Sequence, residues 1–222
     1  MRDTIQVVEA AEKILNYSDR LDADPNWALT QGSLFFMEKG DVQATLRGIT
    51  RRLDELRIPY VIVGGMALYR HGFRRFTEDV DLLVTRDGLK AVHEALDGLG
   101  YLHVFKGSKK LRDTTTGVQI DFLISGDYPG DGKPKPVAFP QPDDWVVVIE
   151  GLRVLALPRL VELKLASGMT GGVNRMKDFT DVVELIKALN LPADFSKQLN
   201  EYVRPKFDEL WQGVKDSPEF ES

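Results

Sequence analysis

The chain contains no cysteine, so it can build neither disulfides nor thiolate metal sites, and a cytoplasmic home is the expectation. Histidine is nearly as scarce, at three residues. His71 and His93 have no partners at metal-ligand spacing, and His71, just before a glycine, reads as a helix-end residue rather than a base. No apolar run approaches the roughly 20 residues of a membrane span, and the N-terminus lacks a cationic leader followed by an apolar stretch, so no membrane partner is expected. Positive charge is not in excess either. A formal net charge of −5 excludes a global basic field that would coat nucleic acid and leaves only local patches for such a partner. Internal repeats and low-complexity tracts are also missing. What is present, 43% hydrophobic and 28% charged residues in a chain of 222, is ordinary globular composition with ample core for one large domain or two small ones.

Apolar spacing predicts the elements. Ile5, Val8, Ala11 and Leu15 suggest a helix over Thr4 to about Leu21. Asp22 to Gly40 reads as a connection with one short helix around Leu34–Met37. Asp41 is positioned to cap a strongly amphipathic helix carrying Val42, Leu46, Ile49, Leu53 and Leu56. Strands are expected at Tyr60–Val63, Asp79–Val84, Tyr101–Phe105 and Val118–Ile124, with a helix carrying Leu89, Val92, Leu96 and Leu99 between the second and third. Ser125 to Asp144, rich in glycine and proline, reads as a long surface loop. Trp145–Ile149 and Leu152–Ala156 flank Glu150-Gly151 as a hairpin. From Pro158 the pattern turns helical: one helix to about Ser167, a link over Gly168–Gly172, a helix carrying Phe179, Val182, Val183, Ile186 and Leu189, and a last one carrying Leu199, Tyr202, Val203, Phe207 and Leu210. The expected division is an N-terminal helical extension over 1–40, an α/β domain over 41–157 and a C-terminal helical domain over 158–222.

Chemistry concentrates in the α/β part. Gly64-Gly65 closes one strand and should open a helix, where the backbone can approach a phosphate; taken by itself, the pair is better explained as a tight strand–helix turn. Asp79 and Asp81 alternate along an otherwise apolar strand, so they share a face roughly 6–7 Å apart at Cα. Two carboxylates side by side repel, and burying them is costly unless cations lie between them, which points to Mg²⁺ (or Mn²⁺) carrying a nucleoside triphosphate. The competing explanation is a solvated strand face, or an ion pair with Arg74 or Arg75. Asp121 stands opposite Ile120 and Phe122 in a second apolar strand. If the two strands are neighbours, it joins the first two as a third ligand; bonding to a nearby lysine or arginine is the alternative. Glu78 projects from the opposite face.

Together, Gly64-Gly65-x-Ala67, His71-Gly72, Arg75-x-Thr77-x-Asp79-Val80-Asp81 and the later Asp121 resemble the DNA-polymerase-β-like nucleotidyltransferases. The branch most resembled includes the AbiEii toxins of type IV toxin–antitoxin systems. That branch places a lysine in a following helix and a Lys-Asp pair at the start of the next; here stand Glu162-Leu-Lys164 and Arg175-Met-Lys177-Asp178-Phe-Thr-Asp181. The resemblance spans roughly Leu46 to Leu189. One departure is Met66, where many relatives carry serine, which removes a phosphate contact and leaves the Gly65 N–H.

The resemblance implies a nucleotidyltransferase fold: a mixed β-sheet with helices packed on one side, followed by a C-terminal helical region. It implies transfer of a nucleoside monophosphate from an NTP to a hydroxyl or phosphate, with Asp79, Asp81 and Asp121 holding the metal. Lys164 and Asp178 join them as catalytic residues, and Gly64, Gly65, Arg75, Thr77, Lys164 and Lys177 bind the nucleotide. The acceptor is left open among tRNA or other RNA, protein and a small molecule such as an aminoglycoside, and an antitoxin protein is a further partner. From the residues alone, Lys164 could equally be a snorkelling surface lysine, Asp178 and Asp181 a helix-capping pair, and Arg75 and Thr77 packing groups. Lys106, Lys109, Lys110 and Arg112 form the clearest basic patch, either a docking point for an anionic partner or a solvated hairpin tip. The alternative to an enzyme is a non-catalytic nucleotide-binding or toxin–antitoxin partner module of the same fold.

Overall fold

The computed structural model describes residues 16–105 and 107–217. The expected first helix lies largely outside them, with Ile5, Val8, Ala11 and Leu15; the described part is α1 (Tyr17–Ala23). Where a connection was expected there is a twelve-residue helix, α2 (Pro25–Phe36). Its start follows from Asp24, whose carboxylate accepts from Asn26 N and Trp27 N at 3.1 and 3.0 Å, and from Pro25 in the first turn. In α3 (Asp41–Glu55), Val42, Leu46, Ile49 and Leu53 are at most 1% exposed, forming the expected buried stripe. Leu56 falls past the helix end and is 38% exposed. The cap position belongs to Gly40, not Asp41. The Asp41 N–H instead donates to the buried Gln31 side chain of α2 at 3.1 Å.

The remaining elements are β1 (Tyr60–Ile62), α4 (Gly64–Arg70), β2 (Asp79–Val84), α5 (Arg86–Leu96), β3 (Tyr101–His103), β4 (Lys110–Asp113), β5 (Gln119–Ile124), β6 (Val146–Ile149), β7 (Leu152–Leu155), α6 (Leu157–Thr170), α7 (Met176–Ala188) and α8 (Arg204–Asp216). Seven strands form one mixed sheet in the order β3-β4-β5-β2-β1-β7-β6. The β3–β4, β4–β5 and β6–β7 pairs are antiparallel, and β1–β7 is parallel.

Two compact units divide the chain, and the division passes through β2. The first holds the described residues up to Pro59 with Phe76–Leu82 and Asp87–Phe122. In it β5 and the start of β2 alternate: Ile120 and Phe122 of β5 and Val80 and Leu82 of β2 are at most 3% exposed, while Asp79, Asp81 and Asp121 are half-buried. Lys110 and Arg112, read as part of a basic patch, lie within β4 around the fully buried Leu111; Lys106 lies outside the described residues.

The second unit holds Tyr60–Arg75, Leu83–Arg86 and the chain from Leu123 onward. Its β6–β7 hairpin turns through Glu150 and Gly151, both at positive φ (51° and 78°), the backbone that a two-residue turn between twisted strands requires. The 125–144 segment has no helix or strand. It is tied down by Lys135 Nζ, which donates to the Pro129 carbonyl at 2.6 Å and to Thr170 Oγ1 at 3.1 Å. Helix α6 runs through Gly168 to Thr170, beyond the expected stop. Gly168 is there for close approach: a Cβ on it would meet the Phe179 ring of α7 at 2.7 Å. The last helix begins at Arg204, with Pro205 in its first turn, so Leu199 and Val203 pack from the preceding chain. Among the described residues, no helix is long and apolar enough to cross a membrane.

Candidate active site

In the first unit, the alternation of β2 puts Asp79 and Asp81 on one face, and β5, its neighbour in the sheet, puts Asp121 on that same side. One carboxylate oxygen from each lies within 4.8 Å of the other two. Protein donors hold Asp79 and Asp121 in place. Thr77 Oγ1 donates to Asp79 Oδ1 at 2.7 Å. Gln119 Nε2 donates to Asp121 Oδ1 at 2.7 Å, and Lys110 Nζ lies 2.9 Å from Asp121 Oδ2. Asp121 thus stands in the acidic cluster and also pairs with a lysine. Glu78 is directed elsewhere and accepts from Ser18 Oγ.

Three carboxylates on one side of a sheet form an oxygen-only, anionic, half-buried donor set. That set fits a hard divalent cation such as Mg²⁺ or Mn²⁺, which prefers carboxylate oxygen and water.

The second unit carries its own charged cluster. Lys164 on α6 is only 8% exposed. Its Nζ lies 2.9 Å from Asp178 Oδ1 and 2.7 Å from Asp181 Oδ2, both on α7. Ser167 Oγ, one turn along α6, donates to the other Asp178 oxygen at 2.7 Å. Arg75 donates to Asp181 from Nε at 2.9 Å and from Nη2 at 3.2 Å. Two carboxylates thus face two cations, which is how buried charge is tolerated. Residues three apart on a helix share a face, so Asp178 and Asp181 reach Lys164 together. Arg75 and Thr77, expected to touch phosphate, spend these hydrogen bonds on Asp181 and Asp79. Arg175 and Lys177 are exposed at the start of α7.

Gly64 opens α4 at φ +59°, a backbone that favours glycine, and Gly65 is buried. Met66 is fully buried, so the position where relatives carry serine serves the core here. His71 Nε2 donates to the Leu155 carbonyl at 2.8 Å; burial pushes its pKa down, and the hydrogen bond pulls it back in part. Lys110, Gln119 and Ser167 were not foreseen as partners of site residues. Lys110 appeared only as part of a basic patch, because strand register, which sets it opposite Asp121, is not written in local composition.

Comparison with known proteins places these residues in context. The family model "Nucleotidyl transferase AbiEii toxin, Type IV TA system" matches residues 49–210. Among solved structures, ANT(2″)-Ia in complex with adenylyl-2″-tobramycin is 16% identical, with a TM-score of 0.49, covering 75% of this chain and 96% of its own. A Helicobacter pylori protein assigned as a nucleotidyltransferase is 20% identical, with a TM-score of 0.44, covering 76% of this chain and 91% of its own. No curated protein sequence matches. With the family model spanning well over half its length, the chain belongs to the AbiEii toxin family of nucleotidyltransferases.

Proposed function

We propose that the protein transfers a nucleoside monophosphate from an NTP to a hydroxyl or phosphate of an RNA, protein or small-molecule acceptor, in the setting of a type IV toxin–antitoxin pair. The observation that carries this reading is the convergence of Asp79, Asp81 and Asp121, with one oxygen each within 4.8 Å. In the reaction an acceptor oxygen bonds to the α-phosphorus, the bond from that phosphorus to the bridging oxygen breaks, and pyrophosphate leaves with the electron pair. Asp79, Asp81 and Asp121 would hold Mg²⁺ or Mn²⁺, which supplies charge neutralisation and acidifies the attacking hydroxyl.

The chain's own residues do the rest. Thr77 fixes the Asp79 carboxylate by hydrogen bonding to Oδ1, and Gln119 fixes Asp121 in the same way. Asp121 takes the acceptor proton. By resemblance to the family pattern, Gly64, Gly65, Arg75, Thr77, Lys164 and Lys177 form the nucleotide-binding set. Within it, Asp178 positions Lys164 through the 2.9 Å ion pair.

The test is incubation of the protein with Mg²⁺ and each α-labelled NTP against pools of tRNA, protein and small molecules. Label should move to one acceptor class, and Asp81→Asn should abolish transfer (a loss of at least about 10³-fold) with an unchanged melting temperature. Wild-type transfer by that variant, or no labelled product from any pool, would refute the proposal.

A further inference from the structure

The third carboxylate of the acidic cluster carries a cation supplied by the protein. Lys110 lies directly opposite Asp121 in the antiparallel β4–β5 register, so the two side chains rise from the same face. The register is set by the turn that joins the strands. Asp113 N donates to the Val118 carbonyl at 3.0 Å, and Gly117 N donates to the Asp113 carbonyl at 2.9 Å. Gly117 sits at φ +76°, and the Asp113 side chain accepts from Thr115 N at 2.8 Å. Lys110 is therefore held in place by the sheet, not by a chance encounter of two surface chains. Its Nζ lies 2.9 Å from Asp121 Oδ2, while Gln119 occupies Oδ1.

Both Asp121 oxygens are thus bonded to protein donors. A divalent ion that takes Asp121 as a ligand must share or displace one of these bonds. Gln119 is a neutral donor, whereas Lys110 brings a full positive charge that repels the incoming ion. The Lys110 side chain is 42% exposed against 24% for Asp121, so the ammonium has solvent to move into when released.

The geometry points to Lys110 as an internal counter-cation that holds Asp121 in place and competes with a divalent ion for its Oδ2. This rests on the reading of Asp121 as a metal ligand. Lys110 is a positioning residue here, and its effect on the metal runs through Asp121. The consequence is that Asp121 joins the metal site at a higher ion concentration than it would beside a neutral residue.

The test is calorimetric titration of Mn²⁺ into the full chain as wild type, Lys110→Met, Lys110→Gln, Lys110→Arg, Asp121→Asn and the Lys110→Met/Asp121→Asn double variant. Melting curves establish that each is folded, and the two neutral replacements guard against one of them failing to fold. A partly exposed ion pair predicts that Lys110→Met and Lys110→Gln bind Mn²⁺ about threefold to fivefold more tightly than wild type. Lys110→Arg should return to near wild-type affinity, and in the Asp121→Asn background the Lys110→Met change should have no further effect. Wild-type affinity in both neutral variants would overturn the inference. The same gain persisting without the Asp121 carboxylate would also overturn it, because the effect would then be a general field. If Asp121→Asn leaves Mn²⁺ affinity unchanged, or wild type takes up no Mn²⁺, the metal reading itself fails, and this inference falls with it.

Discussion

The His71 imidazole is tied through Nε2 to the Leu155 carbonyl at 2.8 Å, and burial pushes its pKa down. The sign of the linkage follows. A histidine whose folded pKa lies below its unfolded value of about 6.5 binds fewer protons folded than unfolded, so protonation of the unfolded chain draws the equilibrium away from the native state. Stability should therefore fall as pH drops from about 7 through 6.5 toward the depressed folded value. His71→Gln, which keeps a donor for Leu155, should have a shallower slope in urea unfolding across that window; an unchanged slope would remove His71 from the account. The sequence already placed His71 at a helix end. It could not disclose the carbonyl that the ring meets, because Leu155 is 84 positions away. The three aspartates were legible for a different reason: strand alternation turns spacing directly into a shared face, and carboxylates in apolar strands require an explanation. The cation beside Asp121 was not, because the β4–β5 register sets Lys110 there. In the second cluster, Arg75 finds Asp181 across 106 positions, a distance over which local pattern carries no information.

Elements with a clean period were legible, and those whose residues serve two purposes were not. The α3 stripe and the β6–β7 hairpin follow from spacing and from Glu150-Gly151. Helix α2 was hidden because Asp24, Pro25 and Gly32 read as loop formers, although Asp-Pro is also a helix start once the aspartate caps the amides that follow. Gly168 was read as a link for the same reason. In the structure it is a point of close approach between α6 and α7, with no room for a Cβ against Phe179. Gly168→Ala sets a gain in helix propensity of about 1 kcal/mol against overpacking of about 1–3 kcal/mol. With a contact of 2.7 Å, overpacking should win. The variant should lose stability in urea unfolding, and adding Phe179→Leu should restore much of the loss. A stabilised single variant would show that the helices separate freely.

At the scale of the molecule, one seven-stranded sheet carries the acidic residues on its central strand β2 and on the adjacent β5. With one oxygen from each within 4.8 Å of the others, these carboxylates repel at short range and are harder to sustain without cations. The fold class and the family were legible in the sequence because the glycine pair and the aspartate strand are local motifs. The order of the seven strands was not, since it depends on pairings such as Ile62 with Val154 that no local pattern announces. Central to the account is that Asp79, Asp81 and Asp121 together hold a divalent ion. Calorimetric titration of Mn²⁺ into the full chain, with a non-hydrolysable NTP analogue present, tests this most directly. Wild type should take up the ion, and Asp79→Asn, Asp81→Asn and Asp121→Asn, each still folded, should bind it at least about tenfold more weakly. Absence of uptake by wild type, or wild-type affinity in any of the three variants, would contradict the account.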